Sequence, residues 1–235
     1  NPDIICLQET KTNDDSFPKD VLEKNGYFVY INGIQSYNGV AIISKIEANS
    51  INSHKFCNQD DARHIQANFK DFSIHSIYVP AGGDVPDIKE NEKFEHKLSF
   101  LDEMATFFKF NKHQINVLCG DLNVSPNEDD VWSHKQLQNV VSHTKVEREK
   151  LIQIMNKGKF VDTTRMFISP PKNVFTWWSY RSKDFKKNNR GRRLDHIWIT
   201  DHQKVLSLNA KIMLEARSFA QPSDHVPVSY EFDLS

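Results

Sequence analysis

Asp121 and Asn123 stand two residues apart where the apolar run "INVLCG" gives way to "DLN". In an extended chain, residues at that spacing point to the same side, so the carboxylate and the amide project together. They offer a negative oxygen beside a neutral group that both accepts and donates hydrogen bonds. Comparable groups recur at the ends of other apolar runs: Glu9 follows "IICLQ", Asp195 opens "DHIWIT", and Asp224 with His225 precedes "VPVSY". Each alone reads as a solvated loop residue or an Asx-turn. Together, four carboxylates at strand ends would repel one another unless a cation sat among them, and Mg²⁺ or Mn²⁺ favours such oxygen ligands. Asn123-Val124-Ser125 also matches a glycosylation sequon, set aside because nothing marks the chain as secreted.

Positioning these groups requires strands. Short β-branched or aromatic runs recur as "DIICLQ", "YFVYI", "GVAIIS", "RHIQANF", "FSIHSIYV", "INVLCG", "VFTWWSY", "LDHIWIT", "VLSLNAKIM" and "PVSYEF". Two longer helices are expected. One covers residues 91 to 110, with Phe94, Leu98, Leu101, Ala105 and Phe108 as its apolar stripe. The other covers Lys145 to Asn156, with Leu151, Ile154 and Met155 inward and Lys157-Gly158 as the stop. Many strands and few helices imply a layered α/β sandwich of two mostly antiparallel sheets flanked by helices.

At 235 residues and 38% hydrophobic content the chain suits one domain with a sizeable core. Its 30 Lys plus Arg balance 31 Asp plus Glu, so no global basic field advertises nucleic acid and such a partner needs a local patch. The dense basic stretch is "RSKDFKKNNRGRRL", where Lys183, Lys186, Lys187, Arg190, Arg192 and Arg193 follow the Trp177-Trp178 pair. Cations beside aromatic rings can hold a phosphate backbone, although such a run also suits a solvated loop. Cys6, Cys57 and Cys119 lack metal-ligand spacing, and a reducing compartment is the simpler expectation. No run approaches the roughly 18 to 20 apolar residues of a membrane span, so no membrane partner and a cytoplasmic location are expected. The chain starts "NPDIICLQETK" without methionine, and residues upstream of it are expected.

Read together, "LQETK", "NGVAIIS", "YVP", "GDLN", "FTWWSYRS", "RGRRLDHIW" and "SDHVPV" resemble the exonuclease III family of abasic-site endonucleases, within the endonuclease/exonuclease/phosphatase superfamily. The resemblance implies Mg²⁺-dependent cleavage 5′ to abasic sites in duplex DNA, with 3′-5′ exonuclease and 3′-phosphatase action on blocked 3′ ends, by a monomer in base excision repair. It makes Glu9 the principal metal ligand, with Asp224 and Asp121 beside it. Asp121 and Asn123 face the scissile phosphate, Asp195 orients His225, and Tyr78 points at the phosphate. Trp177 and Leu194 match walls of a pocket for a base-less sugar, while Arg192 stands where relatives carry a large apolar residue. Arg181, Tyr37 and Arg63 fall in segments resembling DNA-contacting loops. The family's opening "WN-x-N/D" strand has no counterpart here, and "AGGD" follows "YVP" where relatives place an amide.

Asp121 is the expected base and His225 a donor to the phosphate, with the reverse assignment of the base to His225 left open by sequence. Two rivals also stand: another phosphoesterase of the superfamily, acting on intact DNA or phospholipid headgroups, and a nuclease fold that binds DNA without cutting it.

Overall fold

The structure is a computed structural model and describes residues 1–110, 115–181 and 184–234. Its strands are β1 (Ile4–Gln8), β2 (Phe28–Ile34), β3 (Tyr37–Ser44), β4 (Ser50–Asn52), β5 (His64–Asn68), β6 (Phe72–Tyr78), β7 (Ile115–Asp121), β8 (Val161–Asp162), β9 (Asp195–Ile199), β10 (Val205–Ile212) and β11 (Val228–Leu234). The helices are α1 (Lys19–Glu23), α2 (Glu92–Phe110), α3 (His134–Leu137), α4 (Lys145–Gly158), α5 (Thr163–Phe167) and α6 (Phe185–Asn188). A six-stranded sheet runs β4-β5-β6-β7-β9-β8, a three-stranded sheet runs β1-β3-β2, and β10 pairs with β11. Among the described strands only β6 and β7 pair in parallel, as the intervening α2 permits.

Strand alternation divides the core in two. Ile77, Leu118 and Trp198 of the six-stranded sheet face Phe100, Leu101, Met104, Ala105 and Phe108 of α2, together with Leu151 and Ile154 of α4. Burying one such side chain contributes about 1.5–3 kcal/mol. The opposite face presents Ile65, Ala67, Ile74, Val117 and Ile199 to Val40 and Ile42 of β3, with Cys6, Tyr230 and Phe232 packed beside them. The six-stranded sheet is therefore the middle layer, with helices on one side and the smaller sheets on the other. The expected second sheet is split into two hydrogen-bonded pieces.

Three local expectations are corrected. "VFTWWSY" is not a strand: within it only Trp177 forms isolated bridges, to Arg192 and to His225, because its neighbours are irregular loops rather than strands. The second helix runs through Lys157 and Gly158 and ends at Lys159, which takes the left-handed conformation (φ 57°) and donates its backbone N–H to Asn156 and Met155 carbonyls. On α2, Leu98 is only half-buried, and the fully buried neighbour is Lys97. No helix among the described residues is long and apolar enough to cross a membrane.

Candidate active site

Pairing register puts three of the expected residues in one row across the middle sheet: Tyr78 opposite Asp121, and Asp121 opposite Asp195. All three lie on the face turned toward the smaller sheets, since each is an even number of residues from Ile74, Val117 or Ile199 on the same strand. Glu9 reaches that row from the opposing layer, just past the end of β1. The layers are pinned there by Gln8 Nε2, which donates to Ser76 Oγ (2.9 Å), and by Ser76 Oγ, which donates to the Leu7 carbonyl (3.2 Å). The Tyr78 hydroxyl then donates to Glu9 Oε1.

Close approach of strands explains the glycine of "CGD". A Cβ on Gly120 would lie 1.9 Å from the Ile77 carbonyl oxygen, so no other residue fits where β7 meets β6 immediately before Asp121. Beyond β7 the chain turns through Asn123, whose backbone is left-handed (φ 52°), as is that of Glu9 (φ 54°). Asn adopts this region more readily than most residues; for Glu it is a strained state that the surroundings must hold.

Asn123 holds Asp121 by both arms. Its backbone N–H donates to Asp121 Oδ1 (2.9 Å), and its side-chain Nδ2 donates to Asp121 Oδ2 (3.0 Å) and to the Val79 carbonyl (2.9 Å). Both side-chain partners are acceptors, so the amide orientation is fixed and its two hydrogens are used within the protein. His225 Nδ1 donates to Asp195 Oδ2 (2.8 Å), and its Nε2 lies 3.9 Å from Asp121 Oδ2.

The electrostatics follow from this crowding. Burial pushes Asp121 up to about 7, an effect that the His225 imidazolium opposes and the Asp195 and Glu9 carboxylates reinforce. Burial by itself would lower His225, but Asp195, then Asp121 and Asp224, raise it to about 10. Burial would likewise raise Glu9, yet hydrogen bonds from Lys11 (2.7 Å) and Tyr78 hold it below its ordinary value. Burial raises the Tyr78 phenol, and the bond to Glu9 adds to the effect. At neutral pH the site therefore contains a charged His225 imidazolium, a protonated Tyr78 phenol and an ionised Glu9, with Asp121 near its midpoint.

Ligand-capable atoms of Asp121, Asp195 and His225 lie within 4.8 Å of one another; because His225 is protonated and bonded to Asp195, the two carboxylates are the donors that this cluster offers a metal ion. Carboxylate oxygens dominate the donor set, and the Asp195 and Glu9 charges that add to the effect of burial on Asp121 are what a hard divalent cation would relieve. Asp224 stands slightly apart: its Oδ2 accepts from Trp177 Nε1 (2.9 Å), although its charge still reaches His225 and Lys11.

The remaining expected residues scatter around this centre. Trp177 is half-buried and hydrogen-bonds through its backbone to Arg192, whose guanidinium lies 5.5 Å from the Trp177 ring centroid. Leu194 is buried, its N–H donating to Thr176 Oγ1 (3.0 Å) and its carbonyl accepting from Leu122 (2.9 Å). Arg63 turns inward, donating to Asp61 (2.5 Å) and to the Tyr78 carbonyl (3.2 Å), which leaves it as a brace under Tyr78. Tyr37 and Arg181 are exposed.

The basic stretch is thinner than its sequence suggests. Arg193 is fully buried and paired with Asp130 (3.3 Å) and Asp162, so it cannot meet a phosphate. Lys186, Lys187 and Arg190 are exposed, and Lys183 lies outside the described residues. Sequence reasoning also missed Lys97, because a lysine on the flank of an apolar stripe reads as solvated. An open cleft of about 740 Å³ lies elsewhere, between β4, β5 and α2, lined by Asn52, His54, Gln66 and Phe107 among others. It contains none of the clustered acids.

A stacked-sheet α/β fold with acids and a carboxylate-paired imidazolium gathered at one rim defines a phosphoesterase of the metal-assisted kind. A model of the Endonuclease/Exonuclease/phosphatase family matches residues 1–225. Exodeoxyribonuclease III of Haemophilus influenzae is 28% identical over 246 aligned positions, spanning 98% of this chain and 90% of that protein. A solved AP endonuclease from Archaeoglobus fulgidus matches with TM-score 0.90 at 30% identity, over 99% of this chain and 90% of that one. The 3′ phosphatase NExo from Neisseria, solved bound to a product DNA hairpin, also matches with TM-score 0.90, at 28% identity over 99% and 89%. The chain belongs to the endonuclease/exonuclease/phosphatase family, in its exonuclease III and AP endonuclease branch.

Proposed function

We propose that this protein hydrolyses the phosphodiester 5′ to abasic sites in duplex DNA and trims blocked 3′ ends, as a monomer serving base excision repair. The row Tyr78, Asp121, Asp195, closed by Glu9 from the facing layer and by His225 above it, carries this reading. A Mg²⁺ ion, or Mn²⁺ in its place, would be held by Glu9 with Asp121 and Asp224 alongside, neutralising charge on the phosphoryl oxygens and on the leaving 3′ oxygen.

The chain's own groups divide the remaining work. Asp195 keeps the His225 imidazolium charged and oriented, so that Nε2–H is a donor toward the phosphoryl oxygens. Asp121, with the highest proton affinity of the buried acids resolved there, takes a proton from the attacking water. Asn123 fixes Asp121, since both its amide hydrogens are already engaged. Tyr78 fixes Glu9. Trp177 and Leu194 border the space for the sugar, with Arg181 and Tyr37 along the path of the strands.

A second activity gains weight from Arg192. Its Nη1 donates to the Val141 carbonyl (3.0 Å) and Ser142 Oγ (2.7 Å), which parks a cation over Trp177 where the sugar pocket would be walled. A terminal 3′-phosphate complements that cation better than a bare sugar does. The discriminating experiment compares incision of an abasic duplex, removal of a 3′-phosphate, and hydrolysis of intact duplex and of phospholipid headgroups. The proposal requires the first two to exceed the last two, and activity confined to phospholipid or to intact DNA overturns it.

A further inference from the structure

We infer that Lys97 of α2 and Glu147 of α4 are a buried positioning pair that holds the Asp121/Asn123 turn in its reactive geometry. This rests on the proposed role of that turn in phosphodiester hydrolysis. Both side chains are fully buried, and Lys97 Nζ lies 2.5 Å from Glu147 Oε1. Such a pair is an expensive way to join two helices, because desolvating both charges opposes their attraction and an apolar pair packs as well. Its hydrogen bonds show what it does instead.

Lys97 Nζ donates to the Asn123 carbonyl (2.8 Å) and to the Ala81 carbonyl (3.2 Å), one in the loop after β7 and one in the loop after β6. Glu147 accepts from the Ser142 N–H (2.9 and 3.0 Å), the Thr144 N–H (3.1 Å) and Thr144 Oγ1 (2.6 Å) in the loop before α4. That third loop returns to the first, since Ser125 N–H donates to the Ser142 carbonyl (2.8 Å). One ion pair thus ties three loops behind the site.

The ties fall where the backbone needs them. Asn123 is left-handed, so its carbonyl is directed away from any strand partner and toward Lys97. Gly82, also left-handed (φ 89°), lets the loop after β6 close over the lysine: a Cβ there would meet Lys97 Cδ at 2.7 Å. Asn123 in turn fixes both oxygens of Asp121. Lys97 therefore acts through Asn123, and neither member of the pair touches substrate.

The test is the double variant Lys97→Met/Glu147→Gln, which removes both charges while leaving a carbonyl oxygen at 147 for the Ser142 and Thr144 donors. Its thermal midpoint should stay close to wild type, unlike that of Lys97→Met alone, which strands a buried anion. Its kcat on abasic or 3′-phosphate DNA should fall roughly a hundredfold with KM unchanged, as misplacement of a reacting group predicts. Amide exchange across residues 79–83 and 122–126 should rise at least about tenfold while α2 and α4 stay protected. Leu151→Ala, a core variant on α4, is the control, lowering the midpoint without lowering kcat at temperatures where it is folded. Wild-type kcat and wild-type exchange in the double variant would overturn the inference. Should the double variant not fold, Glu147→Gln alone must move exchange and kcat in the same directions. Wild-type protein inactive on every DNA tested would count against the proposed function, and exchange would still decide the pair.

Discussion

His225 is defined by its two acidic neighbours. Asp195 and Asp121 raise it to about 10 against the opposing pull of burial, so it remains a charged donor through neutrality. Replacing it with alanine should lower kcat about a hundredfold to a thousandfold, the usual loss of one preorganised donor. Asp195→Asn keeps the shape but removes most of the charge support, so the alkaline limb of the kcat profile should move from near 10 toward neutrality; an unmoved limb would exclude His225 as the titrating donor. Arg192→Leu should raise abasic incision relative to 3′-phosphate removal, read as the ratio of kcat/KM on the two substrates, and an unchanged ratio would show that Arg192 does not set preference. Glu9, Asp121, Asp195 and His225 were legible in sequence because each polar residue ends or flanks an apolar run of strand length. The inward hydrogen bonds of Asn123, the burial of Arg193 and the role of Lys97 were not, because they depend on loops distant in sequence that meet only after folding.

Strands position the site by register, and register tolerates little at Gly120. Gly120→Ala would drive a methyl into the Ile77 carbonyl, so it should destabilise by about 3 kcal/mol and displace Asp121. Chemical denaturation checks the first effect and cleavage rate the second. Nine of the ten runs read as strands are strands, and both long helices are present, since periodicity survives wherever one face meets a core. "VFTWWSY" fails for a specific reason: its backbone groups pair with Arg192 and with the Asp224–Val226 loop, so it behaves as a clamp between two site-bearing loops. Trp178 is buried, packed with Phe175 and Val226, while Trp177 is half-buried and donates its indole N–H to Asp224.

Stability of the whole molecule should depend on pH through groups on both faces of the middle sheet. His64, His75 and His196 are buried and lowered, the latter two to about 4, because burial disfavours their charged forms. The backbone N–H of His54 donates to His64 Nδ1 (3.0 Å), so His64 Nε2 carries the proton toward His75 Nδ1 (3.0 Å) and His75 Nε2 donates to Asn116 Oδ1 (3.1 Å): a neutral chain. A depressed folded-state value means stability present above pH about 6.5 and lost as pH falls toward 4, by about 3 kcal/mol for each of His75 and His196. Asp121 works oppositely. Its raised value favours the folded state at low pH and costs stability as pH rises through about 7. Metal-free Asp121→Asn should therefore lose stability more steeply than wild type as pH falls from 8, which urea titrations at several pH values will show. DNA affinity should depend modestly on salt, with a log-log slope of about −3 to −4 if exposed Arg181, Lys186, Lys187 and Arg190 each meet one phosphate. The most direct measurement is single-turnover cleavage of a duplex carrying one abasic site, with Mg²⁺ titrated from zero. The predicted result is a metal-dependent cut on the 5′ side of the site that leaves a 3′-hydroxyl and disappears in Asp121→Ala; DNA bound but uncut at every Mg²⁺ and Mn²⁺ concentration would contradict it.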